Sequence, residues 1–517
     1  MHWAEVIADQ LLQKQHRHVL ATGITPSGPI HIGNMREILT TDAIYRCLKE
    51  KGAEAELIYI ADDYDPLRRV YPYLPQSYAE YVGKPICEIP CPCGQHKSYA
   101  DHYLTSFLNA LKEVGVQPKV YRASEMYARG DYTDAIVTAL ENTTKIKHVL
   151  ETISHREIPD DWLPFNVKCQ NCGRLSTTKP QLYEFPTIEY VCEACGHHGE
   201  VDVRMGGVGK LPWRVDWPAR WKMLNVTFEP CGKDLATVGG ARETGARIVE
   251  EIYDYPHPAL QVYEFILLKG QGAMHSSKGT AISAEEMLKM TPPEVLRFLI
   301  IRNQPSKHLV FDSGLGLLTL IDDYDTEEEA YFGKTEETRG MKDLKKTYEL
   351  SQPYQIPTTM PYHLPIRHLV TLVQIKPTWE EIRGVLLRTH QIPPSLSKED
   401  DAYLRQRADH ARYWLQYFAP PEVKFELQPT LPSIALTPEQ RHFLEAFEKQ
   451  IPDLHWDPDS IHNAVYDTCE HLTLPTKTAF QALYLILLGQ TQGPRAGYFL
   501  STLEKPFVAH RIAEALK

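Results

Sequence analysis

The chain has 517 residues, is 43% hydrophobic and 24% charged, and carries a formal net charge of −12. That length supports two to four cored domains, and the composition excludes a largely disordered chain. The acidic balance excludes a generally basic nucleic-acid binder, so any RNA contact must use local patches.

The first residues, MHWAEVIADQLLQKQHRH, lack the order of a signal peptide, and no apolar run approaches the roughly 20 residues that span a bilayer. A cytoplasmic protein without membrane contact is expected. His18–Thr22 reads as a strand, Gly33–Glu50 as a helix, and Glu56–Ile60 as a second strand ending in Asp62 and Asp63. Ser98–Val114 and Tyr132–Ile153 read as helical. Strand and helix in alternation imply a parallel sheet with helical crossovers, which places ligands at the carboxyl ends of its strands. Trp162–Val203 breaks the rhythm and reads as an insertion. The α/β pattern resumes near Leu211 and runs to about Asn303; beyond it the periodicity is helical, as in Arg441–Lys449 and Phe480–Leu488. The proline-rich stretch Gln352–Pro365 reads as a linker, and there is no internal repeat.

Two segments carry phosphate chemistry. Strand one runs into Gly23-Ile-Thr-Pro-Ser-Gly-Pro-Ile-His31-Ile-Gly33-Asn34, and a helix follows. His31, Gly33 and Asn34 then sit at a helix amino end, where free N–H groups and the helix dipole favour a phosphate. The alternative is an ordinary capped helix. Far downstream, Lys269-Gly-Gln-Gly-Ala-Met274-His-Ser-Ser-Lys278-Gly279 reads as a mobile glycine-flanked loop. Its Ser276, Ser277 and Lys278 are suited to hold the oxygens of a departing pyrophosphate, in chemistry that depends on positioning and charge neutralisation. Alone it is a solvated loop; paired with the first segment it is specific.

Ten cysteines are present. Cys169-x-x-Cys172 and Cys192-x-x-Cys195 form a zinc-ribbon pattern: each pair supplies one knuckle, and four thiolates close a tetrahedron with no open position. Its zinc is structural. Cys87, Cys91, Cys93, His96 and His102 form a second, less regular cluster. The acids of Asp62-Asp63-Tyr-Asp65-Pro-Leu-Arg68 either hold a substrate ammonium or order their loop through Arg68. Asp234, in Gly232-Lys-Asp234, either binds ribose hydroxyls or caps a turn. A lysine side chain needs an apolar channel with an anionic or π-rich end. Trp213, Trp217 and Tyr263 offer walls, and Asp216 or Glu264 a charge. The alternative is that the tryptophans and Asp216 form a core-facing helix start.

The two phosphate segments resemble the "HIGH" and "KMSKS" signatures of class I aminoacyl-tRNA synthetases. Together with Ala61-Asp-Asp-Tyr-Asp-Pro-Leu-Arg68, Leu211-Pro-Trp-Arg-Val-Asp-Trp217 and Met274-His-Ser-Ser-Lys-Gly279, they look like the class I lysyl-tRNA synthetases. The resemblance covers about residues 1–325. Three positions depart from it: Ala273 stands for a lysine, His275 for a serine, and Leu235 for a histidine.

The resemblance implies a class I nucleotide-binding parallel-sheet α/β core with a zinc-ribbon insertion, followed by an all-α anticodon-binding domain. The boundaries are a first half of the core at 1–160, the ribbon at 161–205, a second half at 206–290, a helical stem-contact region at 291–350 and the anticodon domain at 351–517. It implies L-lysine, ATP with Mg2+ and tRNA(Lys) as partners, two structural zinc ions and tRNA-dependent activation; the oligomeric state is open, with a monomer favoured. Catalysis falls to His31, Asn34, Ser276, Ser277 and Lys278. ATP falls to Thr25, Pro26, Ser27, Gly28, His31, Gly33, Asn34, Asp234, Met274 and Lys278. Lysine contacts fall on Gly23, Thr25, Trp213 and Tyr263, to which the residue chemistry adds Asp62 and Asp216. The second metal takes Cys91, Cys93, His96 and His102, with Cys87 a possible substitute. Competing readings are a glutamyl enzyme using Arg214 or Arg220, a tRNA-independent nucleotidyltransferase, and a nonenzymatic zinc-ribbon RNA binder.

Overall fold

The fold is described from a computed structural model covering residues 1–270, 272–273, 282–334 and 341–517. The sheet begins with α1 (Trp3–Leu12), β1 (Arg17–Ile24), α2 (Ile32–Glu50), β2 (Glu54–Ala61), α3 (Tyr99–Glu113) and β3 (Lys119–Arg122). β1 is buried at six of its eight positions, the near-continuous apolar run of a strand covered on both faces. It pairs in parallel with β2, from Arg17 opposite Glu54 to Ile24 opposite Ala61, and β2 pairs in parallel with β3. The predicted helix over 132–153 is two helices after α4 (Ala123–Arg129): α5 (Thr133–Glu141) and α6 (Thr143–Ser154). They break at Asn142, whose side-chain amide turns back to Thr138 O at 2.9 Å.

The insertion holds β4 (Asn166–Val167), β5 (Thr178–Glu184), β6 (Thr187–Cys192), β7 (His198–Asp202) and β8 (Gly209–Lys210). β5, β6 and β7 form an antiparallel sheet. β4 and β8 pair with each other, so the chain leaves and re-enters the core side by side. Next come α7 (Trp213–Met223), β9 (Phe228–Gly232), α8 (Ala241–Glu251) and β10 (Ala259–Tyr263). β9 joins the other side of β1, with Leu20 opposite Phe228, and β10 pairs with β9. The strand order is β10-β9-β1-β2-β3. The connection reverses direction between β1 and β9, and the crevice beyond the carboxyl ends at such a switch point is where open α/β sheets bind ligands.

β11 (Ile266–Leu268) pairs with β12 (Gly272–Ala273), and α9 (Ala284–Met290), α10 (Pro293–Ile301) and β13 (Leu309–Phe311) follow. α11 (Leu315–Tyr331) and α12 (Met341–Ser351) complete this stretch. Arg297 of α10 is fully buried; it pairs with Asp42 at 2.7 Å and donates to the carbonyls of Val114 and Leu350. The Gln352–Pro365 connection starts tethered: Arg46 donates to the carbonyls of Gln352 and Pro353.

The remaining helices are α13 (Ile366–Ile375), α14 (Trp379–Arg388), α15 (Lys398–Tyr417), α16 (Pro438–Glu448), α17 (Pro458–His471), α18 (Thr476–Leu488), α19 (Ala496–Thr502) and α20 (Lys505–Leu516). α14 and α16 start with capping boxes, Thr378 with Glu381 and Thr437 with Gln440. Phe443, Phe447, Leu483, Leu487 and Phe499 share one apolar core. The chain forms two compact units. One holds Met1–Leu288, Pro293–Phe311 and α12 through Ile356; the other holds Lys289–Pro292, α11 and Pro357–Lys517. The 291–350 stretch is therefore divided between them. No helix among the described residues is long and apolar enough to cross a membrane.

Candidate active site

The carboxyl ends of β1, β2, β9 and β10 deliver Gly23, Asp62, Gly232 and Tyr263 to one end of the sheet. After β1 the chain turns tightly: Ser27 N donates to Thr25 O at 2.8 Å, and the hydroxyls of Tyr73 and Tyr99 both donate to Ser27 O. Thr25 donates to Asp65 at 3.3 Å. Pro26 and Gly28 are buried within this turn. His31 is the N-cap of α2, its backbone N–H donating to Asn34 Oδ1 at 3.2 Å. A Cβ at position 33 would stand 2.7 Å from His31 Nδ1, so any side chain there would displace the imidazole.

Met274, Ser276, Ser277 and Lys278 lie outside the described residues. The described chain resumes at Ile282, against the histidine turn. Ile32 N donates to Ile282 O at 3.1 Å and Ala284 N to Ile30 O at 3.1 Å, with His31 opposite Ser283. The chain that follows the second phosphate segment is thus laced, from Ile282, to the histidine turn.

A small cavity lies against the switch point, lined by Gly23, Thr25, Glu37, Asp62, Trp213, Trp217, Arg220 and Glu229 among others. Trp213 and Trp217 stack at 5.2 Å. Glu229 accepts the indole N–H of Trp217 at 2.9 Å and that of Trp221. Glu37 was not singled out in the sequence, yet it is central here. It accepts Gly23 N–H at 2.9 Å and the Tyr263 hydroxyl at 2.8 Å. No cation pairs with it among the described residues. Burial pushes its carboxyl up to about 8, and Glu229 and Asp234 add to the rise. Tyr263 is joined to the cavity through Glu37. Glu264 is engaged elsewhere, with Lys233 at 2.6 Å and His308 at 3.0 Å.

Asp216 is not the free anion that the sequence allowed. It is fully buried and saturated: Arg220 at 2.6 Å, Tyr132 at 2.9 Å and Tyr127 at 3.2 Å, with Lys210 at 3.6 Å. A carboxylate so neutralised has no lone pair to offer an ammonium, which agrees with the core-facing alternative for this residue. Asp62 is likewise committed, to Lys210 at 2.6 Å and Arg220 at 2.9 Å. Burial alone would raise its carboxyl, but Arg220 and Lys210 hold it down to about 2. Lys210 also binds Asp65 at 2.5 Å. The acidic loop after β2 is ordered from within by Lys210, and by Arg122 on Asp63 at 2.8 Å. Arg68 is mostly exposed and 3.9 Å from Asp65, so it does not order this loop. Asp234 is exposed beside Gly232, where an added Cβ would meet its Oδ1 at 2.6 Å.

A histidine-capped helix at the switch point, the chain from Ile282 laced to it, and an acidic, aromatic cavity stand together at the end of the sheet where open α/β folds take their ligands. The family model described as "tRNA synthetases class I (K)" matches residues 1–354. The chain belongs to the class I (K) tRNA synthetases.

Like other aminoacyl-tRNA synthetases it is a ligase, and an anticodon-binding domain model matches residues 398–516. This class I (K) synthetase is 45% identical to the lysine–tRNA ligase of Methanosarcina barkeri, over all of this chain and 98% of that one. It is 41% identical to the lysine–tRNA ligase of Archaeoglobus fulgidus, over the full length of both. Among solved structures it is similar to a glutamate tRNA ligase from Elizabethkingia meningosepticum, with 15% identity, a TM-score of 0.44, and coverage of 97% of this chain and 99% of that one.

The synthetase carries two groups of residues able to hold a metal. Cys169, Cys172, Cys192 and Cys195 converge, with Cys169 Sγ 3.6 Å from Cys195 Sγ and Cys172 Sγ 3.6 Å from Cys192 Sγ. A disulfide would need about 2.05 Å. Four sulfurs about 2.3 Å from a zinc ion stand roughly 3.8 Å apart, so the spacing fits the ion. Cys91, Cys93, His96 and His102 also converge, with sulfur-to-Nδ1 distances of 3.3 to 3.7 Å. Cys87 lies outside this group; its backbone N–H donates to Asp63 O, and burial pushes its thiol up to about 12.

Proposed function

We propose that the protein is a lysine–tRNA ligase whose lysine pocket is floored by Glu37. The observation that carries this reading is a half-buried carboxyl without a cation partner among the described residues, lining a cavity walled by Trp213 and Trp217. Of the other acids of the site, Asp62, Asp65 and Asp216 already have cations, and Glu229 is occupied by the indole N–H groups of Trp217 and Trp221. A lysine ε-ammonium supplies the missing charge, and its methylene stem packs on the indoles. Glutamate would bring its carboxylate against Glu37 and Glu229. The arginines a glutamyl enzyme would need are engaged: Arg220 with Asp62 and Asp216, and Arg214 with Thr244.

ATP enters as its magnesium complex over the amino end of α2, where His31, Gly33 and Asn34 and the turn Thr25–Gly28 face its phosphates. Asp234 is placed for the ribose. Gly23 and Thr25 let the lysine carboxylate approach the α-phosphorus. The carboxylate oxygen attacks, the bond to the β-phosphate oxygen breaks, and lysyl-adenylate and pyrophosphate form. Ser276, Ser277 and Lys278 hold the departing oxygens. The 2′-hydroxyl of the terminal adenosine of tRNA(Lys) then attacks the lysyl carbonyl and AMP leaves. No side-chain nucleophile is required, because rate comes from orientation and charge stabilisation. The two cysteine-rich groups take structural zinc. We place this monomeric enzyme in the cytoplasm.

The test is pyrophosphate exchange and tRNA charging with lysine and with glutamate, each with and without tRNA. Lysine-dependent charging is expected. Activation of glutamate but not lysine would overturn the specificity, and ligation without tRNA acceptance would favour a free-standing nucleotidyltransferase.

A further inference from the structure

Ser27 lies in the turn between β1 and α2, and two phenols hold its carbonyl. The Tyr99 hydroxyl donates to it at 2.7 Å and the Tyr73 hydroxyl at 3.0 Å, so both lone pairs of one oxygen are used. The Ser27–Gly28 peptide is trans, and in a trans peptide the C=O and the following N–H point in opposite directions. With the Ser27 oxygen fixed on the phenols, the Gly28 N–H is fixed pointing away from them. Gly28 is buried, and its N–H has no hydrogen-bond partner among the described residues. Buried N–H groups without a partner are rare, and one just ahead of a helix amino end is a donor open to an anion.

The two phenols belong to a tyrosine cluster that also frames the second metal group. Tyr99 is fully buried, begins α3, and lies in the chain between His96 and His102. Its backbone N–H donates to Ile89 O at 2.9 Å. The Tyr78 hydroxyl donates to Pro90 O at 2.9 Å and so holds the chain just ahead of Cys91. Tyr103 packs edge-on to His102 at 4.7 Å and to Tyr99 at 5.1 Å, and reaches Tyr73 at 6.2 Å. The first turn of α3 is tied down as well: Ser98 caps it through Asp101 N, and Arg122 binds Asp101 at 2.8 Å. The convergence of Cys91, Cys93, His96 and His102 fits one ion, which would close the chain around Tyr99 from both sides.

We propose that Tyr73 and Tyr99 are positioning residues for ATP. They hold the Ser27–Gly28 peptide so that its N–H meets a phosphate oxygen, and through Tyr99 they couple that turn to the metal group at Cys91, Cys93, His96 and His102. The phenols act through the peptide and not on the nucleotide itself. Such coupling is reciprocal: whatever a filled metal group adds to ATP affinity, bound ATP adds to metal retention. The proposal rests on the reading of this turn as the ATP site, and it gives the second metal group a role beyond stability.

The experiment compares the full chain with Tyr73→Phe, Tyr99→Phe and the double variant, which keep the rings and lose only the donors. Lysine-dependent pyrophosphate exchange, run with tRNA present, gives KM for ATP and for lysine. Each single variant is expected to raise KM for ATP about threefold to tenfold, the worth of one hydrogen bond, and the double variant more, with KM for lysine unchanged. The second readout is release of zinc to a chromogenic chelator, with and without α,β-methylene-ATP, which cannot lose pyrophosphate. In the wild type the analogue is expected to slow release of one of the two zinc ions several-fold. In the double variant, still carrying both ions, that slowing is expected to vanish. The proposal is overturned if the double variant keeps the wild-type KM for ATP, or if its KM for lysine rises as much. It is equally overturned if the analogue slows zinc release alike in both proteins or in neither. Should the double variant fail to fold, the same criteria apply to the single variants. His31→Ala with wild-type exchange would sink the reading of the turn as the ATP site; wild-type KM values in the tyrosine variants beside a crippled His31→Ala would sink only the positioning role.

Discussion

Lysine affinity should rise steeply with pH, because of Glu37. Burial pushes this carboxyl up to about 8, against an ordinary value near 4.3. The two hydrogen bonds from Gly23 N–H and Tyr263 Oη–H favour its charged form, but not by enough to offset burial beside Glu229 and Asp234. In the free enzyme at pH 6 the group is therefore protonated. Binding an ammonium requires the carboxylate, so each pH unit below about 8 weakens lysine tenfold, roughly 100-fold at pH 6 relative to the plateau. The linkage for folding has the opposite direction. A raised carboxyl pKa gives stability that is complete below the ordinary value and is lost as pH rises toward about 8, and bound lysine restores it. Titration calorimetry from pH 6 to 8.5, in buffers of different ionisation enthalpy, should show release of nearly one proton at the acid end, falling to about a quarter of one at the alkaline end. Glu37→Gln should bind weakly at every pH and without the slope. A flat lysine affinity between pH 6 and 8, or full affinity of Glu37→Gln at pH 8.5, would refute the assignment.

His31→Ala and Lys278→Ala should each slow adenylate formation on the order of 10²-fold with the fold intact, measured by pyrophosphate exchange, and near-normal rates would remove the pair from the mechanism. Ala273→Lys, which restores the family's cation, should speed the same exchange several-fold; no gain would mean that another residue fills that role. Elemental analysis should find two zinc ions per chain, and Cys172→Ser should leave one; a single ion in the wild type would eliminate the Cys91–His102 site. Lys210→Met should cost about 3–5 kcal/mol in denaturant unfolding, because Asp62 and Asp65 lose their shared buried cation; a loss below 1 kcal/mol would show that the acids readily reprotonate or rehydrate.

What was legible in the sequence is what is local. The histidine turn, the ribbon cysteines and strands β1 and β2 each rest on residues close together in the chain. Lys210 carries no local sign, because its acids lie about 145 residues away. Glu37 belongs to no motif; the available hint was its place one turn after Asn34 on the helix that the histidine begins. Asp216 is instructive in the other direction. Arg220 stands four residues later on the same predicted helix, and that spacing announces an ion pair, so the engaged state of this acid was readable. Asp234 and the turn residues were placed at the sheet's ligand-binding end by strand order, which no single segment reveals.

The strand order also sets a schedule for synthesis. β1 is the middle strand of the sheet, but its partner on one side, β9, lies about 200 residues further along. At translation rates of about 5–20 residues per second, that edge of β1 waits roughly 10–40 seconds for its neighbour. During that interval the nascent chain presents an apolar strand with unpaired backbone groups, a template for wrong pairings. The ribbon has no such delay, since β5, β6 and β7 pair with their immediate successors and all four cysteines emerge within 27 residues. This module, whose four cysteines could hold a metal ion, can therefore form on the ribosome first. Because β4 and β8 lie side by side at its base, it brings β9 back toward the waiting strand and shortens the loop that the core must close.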